Sequence, residues 1–256
     1  MPKPLITAII PNYKTPELTR ICLRALVKYS DLDELRVIVV DNHSNDESVR
    51  YLRSLKWIRL IERDTAGESG PEMHAKALDL AMREVTTDFV LVMHTDTIVL
   101  RRDWLHFLFG HLDAKSGGVG SWKLESVSPW KAAGKKIENA VRRLLGRKIL
   151  DREHYFRSHL ALYRTEAVRR TTGFFDGETA GMRLFQQIRE QGYDMPFIPS
   201  EDLQKYVCHL NHATMILNPR EGDRKTASPA ARRALKRKLD RLGIGSLLND
   251  ESLDLL

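Results

Sequence analysis

Short apolar runs alternate with amphipathic stretches along the first hundred residues. Residues 5–10, 36–40 and 89–93 are runs of mostly β-branched and other apolar side chains, and 58–61 is a less continuous fourth. Each is too short for a buried helix and is bounded by polar turn formers, so each predicts a strand. The run at 89–93 is uninterrupted, which predicts a central strand covered on both faces. Pro11 is expected to stop the first strand. After it, Thr15 and Pro16 form a predicted helix start, and Leu18, Ile21, Cys22, Ala25, Leu26 and Tyr29 then fall on one helical face. A second helix is expected over 46–55. Strands alternating with helices through short polar turns predict an α/β fold, with a mostly parallel central sheet flanked by helices.

The pattern changes further along. Residues 101–109 predict an amphipathic helix with Trp104, Leu105, Leu108 and Phe109 turned inward, and 117–121 a glycine turn entering a short strand. Residues 130–150 combine an apolar stripe of Ile137, Val141, Leu144, Leu145 and Ile149 with seven Lys and Arg against the single acid Glu138, which predicts a basic amphipathic helix. A strand is expected at 194–198. A second basic helix is predicted at 230–242, with Leu235, Leu239 and Leu242 on one side, and residues 249–256 are expected to be loosely held. These shifts suggest a main domain over 1–220, divided into halves at 122/123, and a basic helical extension over 221–256.

Composition narrows the setting. At 256 residues and 42% hydrophobic content the chain can bury a substantial core. Its two cysteines, Cys22 and Cys208, lie far apart, and Cys22 falls on the apolar face of a predicted helix, so core packing in a reducing, cytoplasmic setting is expected rather than a disulfide. No apolar run approaches the roughly 20 residues that span a bilayer, and no apolar leader opens the chain. A cytoplasmic protein is expected, with peripheral attachment to the inner face of the membrane as the variant that the basic helices suggest. The net charge of +7 favours anionic partners.

The candidate chemistry sits where apolar runs end. Asn12, Tyr13, Asp41, Asn42, His94 and Asp96 all follow directly on predicted strands, and in parallel α/β sheets ligands bind beyond the carboxyl ends of the strands. His94 and Asp96, two residues apart, would project to the same side if extended geometry persists and could share a divalent cation. Each of these residues taken singly also fits a cap or a turn.

Three blocks carry a resemblance. Ile9, Ile10, Pro11, Asn12 and Tyr13, then residues 39–46 with Asp41 and Asn42, then residues 90–99 with His94, Thr95 and Asp96, resemble in order and spacing the N-terminal half of family-2 glycosyltransferases of the GT-A fold. The resemblance implies that the first turn, with Pro11 and Tyr13, holds the base of a nucleotide sugar. Asp41 and Asn42 would contact base or ribose. Asp96 would be the second acid of the DxD motif, which holds a divalent metal, Mn2+ or Mg2+, on the diphosphate. His94 replaces the first acid, giving HxD, and Thr95 lies between the two. Imidazole in place of carboxylate shifts metal preference from Mg2+ towards Mn2+. His74 stands near the family's helix-borne Asn, beside the expected diphosphate and sugar. Either His209 or His212 would complete the metal shell, with His212 favoured because Asn211 suggests a loop.

The family's catalytic acid pair is absent, since the matched positions are Ala180 and Gly181. Glu178, and after it Asp176, are the replacement candidates for a general base. The resemblance therefore implies a metal-assisted, inverting transfer of a sugar from a nucleotide-diphosphate donor to an acceptor hydroxyl, in polysaccharide or lipid-linked glycan synthesis. A retaining transferase on the same fold is one alternative. A non-catalytic protein that binds nucleic acid or membrane is the other, although the basic helices lack the interleaved aromatics of nucleic-acid binders.

Overall fold

The computed structural model describes residues 6–122, 154–176, 180–211, 213–218 and 228–255. The predicted basic helix at 130–150, Glu178 and His212 lie outside the described residues. Strand β1 (Ile6–Asn12), helix α1 (Pro16–Tyr29), β2 (Leu35–Asn42), α2 (Glu47–Ser54), β3 (Ile58–Arg63), α3 (Gly70–Met82) and β4 (Phe89–Met93) follow one another in the alternation that the pattern predicts. A short β5 (Thr97–Val99), α4 (Trp104–Phe109), β6 (Gly118–Gly120) and β7 (Leu160–Arg164) come next. The remainder is helical, with α5 (Thr165–Arg169), α6 (Met182–Glu190), α7 (Ser200–Leu203), α8 (Ala213–Leu217), α9 (Pro229–Arg241) and α10 (Gly245–Asn249), plus β8 (Val207–His209) and a terminal 3-10 turn (Glu251–Asp254).

Six strands form one sheet in the order β3-β2-β1-β4-β7-β6, and β5 pairs with β8 in a separate ribbon. β3, β2, β1 and β4 are parallel. β7 runs antiparallel to β4 and to β6. Alternate side chains of every central strand enter different cores. Ile6, Ala8 and Ile10 of β1, Leu91 and Met93 of β4 and Leu162 of β7 pack with α1 and the C-terminal helices, whereas Ile9, Val90, Val92 and Ala161 pack with α3 and α6. Burial on both faces is why residues 89–93 carry no polar position. Gly118 is held to glycine by contact, because a Cβ there would lie 2.6 Å from the Leu162 carbonyl oxygen.

Three expectations are corrected. Pro11 does not end β1: the strand continues to Asn12 on the β2 side, where Pro11 pairs with Val40, while the pairing to β4 stops at Ile9. With no neighbour on the β4 side, its missing N–H costs no ladder bond there. Residues 194–198 form only isolated bridges, Ser116 to Asp194 and Gly120 to Phe197. The chain end is not loose: Asp254 accepts from Arg24 Nε at 2.9 Å and from Tyr51 at 2.8 Å, and Arg24 also donates to the Leu247 carbonyl at 3.1 Å. Arg24 is buried on α1, so its charge requires partners, and the terminal turn supplies them. Leu235, Ile244 and Leu247 accordingly belong to the same core as α1.

Candidate active site

The strand order places a topological switch between β1 and β4, since β2 and β3 lie on one side of β1 and β4 on the other. Their carboxyl ends open the crevice in which such sheets bind ligands. On its β1/β2 side lies a closed polar knot. Asn12 Nδ2 donates to Asp41 Oδ1 at 2.7 Å and Asn12 Oδ1 accepts from Thr19 at 2.7 Å. Ser44 donates to Asp41 through its N–H at 3.0 Å and its hydroxyl at 2.5 Å. Asn42 accepts from Arg63 at 2.9 Å, and Arg63 is held in turn by Glu68. Asp41 and Asn42, predicted to meet base or ribose, are thus bound first of all to their own chain. Tyr13 opens the loop beyond Asn12, where Lys14 and Thr15 both take positive φ, 55° and 57°. Thr15 sits at the cap position of α1 without a capping hydrogen bond from its side chain, so Pro16 rather than a cap sets the helix start.

On the β4 side the chain leaves the sheet at Met93 and turns, closed by a Thr97 N–H to His94 carbonyl bond of 3.1 Å. The extended geometry expected for His94 to Asp96 does not persist. The turn nevertheless brings His94 Nδ1 to 3.7 Å from Asp96 Oδ1. β8 contributes the third group: its pairing with β5 sets His209 opposite Thr97, and His209 Nε2 lies 3.2 Å from the same Asp96 oxygen. His94, Asp96 and His209 offer ligand atoms all within 4.8 Å of one another. Asp96 Oδ1 is enclosed, and the imidazole contacts do not satisfy hydrogen-bond geometry, so it has no partner. Burial pushes the Asp96 carboxyl up, but His209 and then His94 outweigh it and hold the group well below the usual carboxylate range. The 3.2 and 3.7 Å separations from the Asp96 oxygen approach the roughly 3 Å between neighbouring ligands bonded to one cation at about 2.1 Å, so these three residues could hold a divalent cation.

Further histidines surround this group. The His74 ring meets His94 edge to face at 4.6 Å. Its Nε2 is enclosed without a partner, and burial, reinforced by His94 and opposed by Asp96, lowers its pKa to about 3. His159 stacks on His209 at 4.8 Å, donates or accepts at Ser121 over 3.1 Å, and is kept neutral chiefly by burial. Ser158 meets His94 Nε2 at 3.0 Å, and Lys238 of α9 donates to the His209 carbonyl at 2.6 Å. Ser158, His159 and Lys238 are absent from the sequence-based set. For His159 a signal existed, because it immediately precedes the apolar run of β7, whose antiparallel register sets Leu160 against Met93 and so brings His159 beside His94.

The remaining predicted residues separate. Thr95 is buried in the turn between His94 and Asp96. Asp176 accepts from the Arg183 N–H at the start of α6 at 3.4 Å, a capping contact. Of the two predicted C-terminal histidines, His209 is the one that the described residues bring to Asp96.

The family model for glycosyl transferase family 2 matches residues 7–172, which includes the β1 turn, Asp41, His94 and Asp96. Among solved structures the chain is similar to the mannosyltransferase PcManGT from Pyrobaculum calidifontis, in complex with GDP-Man and Mn2+, at 22% identity and a TM-score of 0.54 over 77% of this chain and 55% of that one. It is also similar to S. aureus TarS residues 1–349, at 15% identity and a TM-score of 0.53 over 76% of this chain and 58% of that one. A mycobacterial protein gives 16% identity and a TM-score of 0.51, over 78% and 70%. The chain thus spans little more than half the length of the first two, and at these identities the likeness is one of fold. No match was found among curated proteins. With well over half of its residues in the family model and the α/β architecture of GT-A enzymes around them, this chain belongs to glycosyl transferase family 2.

Proposed function

We propose that this chain transfers a sugar from a nucleotide-diphosphate donor to an acceptor hydroxyl, with a divalent cation held by His94, Asp96 and His209. The observation that carries this reading is the enclosed, ionised and unpartnered Asp96 oxygen between two imidazoles at the mouth of the switch-point crevice. Held there, such a cation would supply neutralisation of the charge on a departing diphosphate. Its mixed nitrogen and oxygen ligands favour Mn2+ over Mg2+, in keeping with the Mn2+ in the mannosyltransferase of similar fold. Tyr13 and Pro11 line the nucleoside end, and the Asn12, Asp41 and Ser44 knot fixes the backbone that presents them. His74, neutral and with an unpartnered Nε2, is positioned for an uncharged hydrogen bond to donor oxygen.

An inverting course needs a carboxylate to take the acceptor proton, and Glu178 and Asp176 are the groups we assign to it. The retaining course is the second reading, favoured by Ala180 and Gly181 at the family's acid positions and by the capping contact of Asp176. The anomeric configuration of the product separates the two. We assign the acceptor to lipid-linked or polysaccharide glycans on family grounds. Peripheral attachment to the inner face of a membrane would use α9, whose Arg233, Lys236, Arg237 and Arg241 are exposed. Among the described residues no helix is long and apolar enough to cross a membrane.

Thermal unfolding against UDP, GDP, CMP and dTDP, each with EDTA, Mg2+ or Mn2+, tests the reading, because a ligand of the native state raises its stability. A shift with one nucleotide that disappears in EDTA is expected. A shift indifferent to EDTA removes the cation, and no shift with any nucleotide overturns the assignment in favour of a non-catalytic binding protein.

A further inference from the structure

Arg157 stands three residues before the start of β7, on the crevice side of the sheet. Its guanidinium lies over the Trp122 ring at 4.9 Å and over the Tyr155 ring at 5.1 Å, and its Nη1 donates to the Tyr155 hydroxyl. Its N–H is fixed to the Ser121 carbonyl at 3.0 Å. Two aromatic rings and one side-chain hydrogen bond therefore hold the guanidinium, while the backbone bond to Ser121 fixes the chain that carries it. Among the described residues no carboxylate lies within ion-pair distance of it, unlike Arg24, Arg53, Arg59 and Arg63, each of which has one. It is half-buried, so its cation is partly withdrawn from water without an anionic partner. The two residues that follow it in the chain touch the candidate metal centre: Ser158 bonds His94 and His159 stacks on His209.

An arginine held over aromatic rings, with no carboxylate partner among the described residues, is preorganised for a bidentate contact to phosphate oxygens. We propose that Arg157 is a phosphate-binding residue beside the His94, Asp96 and His209 centre, with Trp122 and Tyr155 as the platform that aims it. Its ligand is a phosphate group that arrives either as the diphosphate of the donor or as a phosphate on the acceptor. The assignment builds on the transferase reading, but phosphate binding by the wild-type protein can be tested without any nucleotide.

Titration calorimetry of the wild type, Arg157→Gln and Arg157→Lys, with UDP or GDP, with the corresponding nucleoside and with inorganic pyrophosphate, all in Mn2+, separates the sources. If the donor supplies the phosphate, Arg157→Gln weakens diphosphate and pyrophosphate binding by roughly tenfold or more, the scale of a charge-assisted hydrogen bond, and leaves nucleoside binding unchanged. Arg157→Lys recovers part of the loss, which a merely structural role would not produce. If the acceptor supplies it, diphosphate affinity is unchanged, but inorganic phosphate binding to the nucleotide-saturated protein is lost in Arg157→Gln. Equal binding of every phosphate ligand by wild type and a folded Arg157→Gln overturns the proposal. Should that variant fail to fold, phenylglyoxal modification of the wild type decides: pyrophosphate or phosphate is expected to protect Arg157, and unprotected modification overturns the assignment. Loss of nucleotide binding by the wild type, with pyrophosphate protection intact, would sink the donor reading and leave the phosphate site standing.

Discussion

Asp41 near the end of β2 and Asp96 in the turn after β4 flank β1 at the same end of the sheet and are almost equally buried, 2% and 5% exposed, yet they differ in what surrounds them. Asp41 receives three hydrogen bonds from Asn12 and Ser44 within a closed network. Asp96 presents an enclosed oxygen that no donor satisfies, with an imidazole on each side. A buried carboxylate that is fully paired stabilises the fold, and one that is left short calls for a further partner such as an ordered water or an ion. On the proposed reading, the first side of the crevice supports the fold and the second holds the cation.

Substitutions should separate the two. Asp96→Asn is expected to reduce turnover by on the order of a hundredfold or more and to abolish its metal dependence, while the melting temperature without metal moves less than in any Asp41 variant. Steady-state kinetics with and without EDTA check this. Asp41→Ala should instead strand the Asn12 and Ser44 donors, costing about 3 kcal/mol, or roughly 6–12 °C in melting temperature for a chain of this size. An Asp41→Ala protein that melts normally would erase the contrast. His159→Ala, which removes the stack behind His209, should lower Mn2+ affinity by roughly tenfold, and His159→Phe should restore much of it by keeping a ring in place.

Acid titration tests the histidines around Asp96. His74 is neutral in the folded protein down to about 3, whereas the unfolded chain takes up that proton near the ordinary 6.5. The unfolded state therefore binds more protons in that interval, and stability is level above 6.5 and falls as pH drops below it. His159 acts in the same direction. Urea midpoints between pH 7 and pH 4 should decline for the wild type and decline less for His74→Gln; identical slopes would remove His74 from the enclosed cluster.

The sequence patterns that survived in the structure are those with a local cause. The run at 89–93 could only be a strand buried on both sides, and Leu18, Ile21, Cys22, Ala25 and Leu26 face the core as their spacing requires. What was hidden depends on partners far along the chain. Pro11 looked like a strand end because its neighbour on one side only becomes visible once β2 is paired. His94 and Asp96 were predicted to converge along a strand and instead converge through a turn. The anchoring of Asp254 by Arg24 bridges 230 positions, and nothing near either residue announces it. Asp41 and Asp96 carry the same local signature, a carboxylate after an apolar run, and only the count of donors around each distinguishes support from site.

The enclosed oxygen of Asp96, with His94 and His209, is proposed to hold a divalent cation. Titration calorimetry of Mn2+ into the metal-free protein, repeated with Asp96→Asn, tests it most directly. One bound Mn2+ per wild-type chain, lost in Asp96→Asn while the two proteins retain the same circular dichroism, is the predicted result. Equal Mn2+ binding by both proteins, or none by the wild type even with a nucleoside diphosphate present, would contradict it.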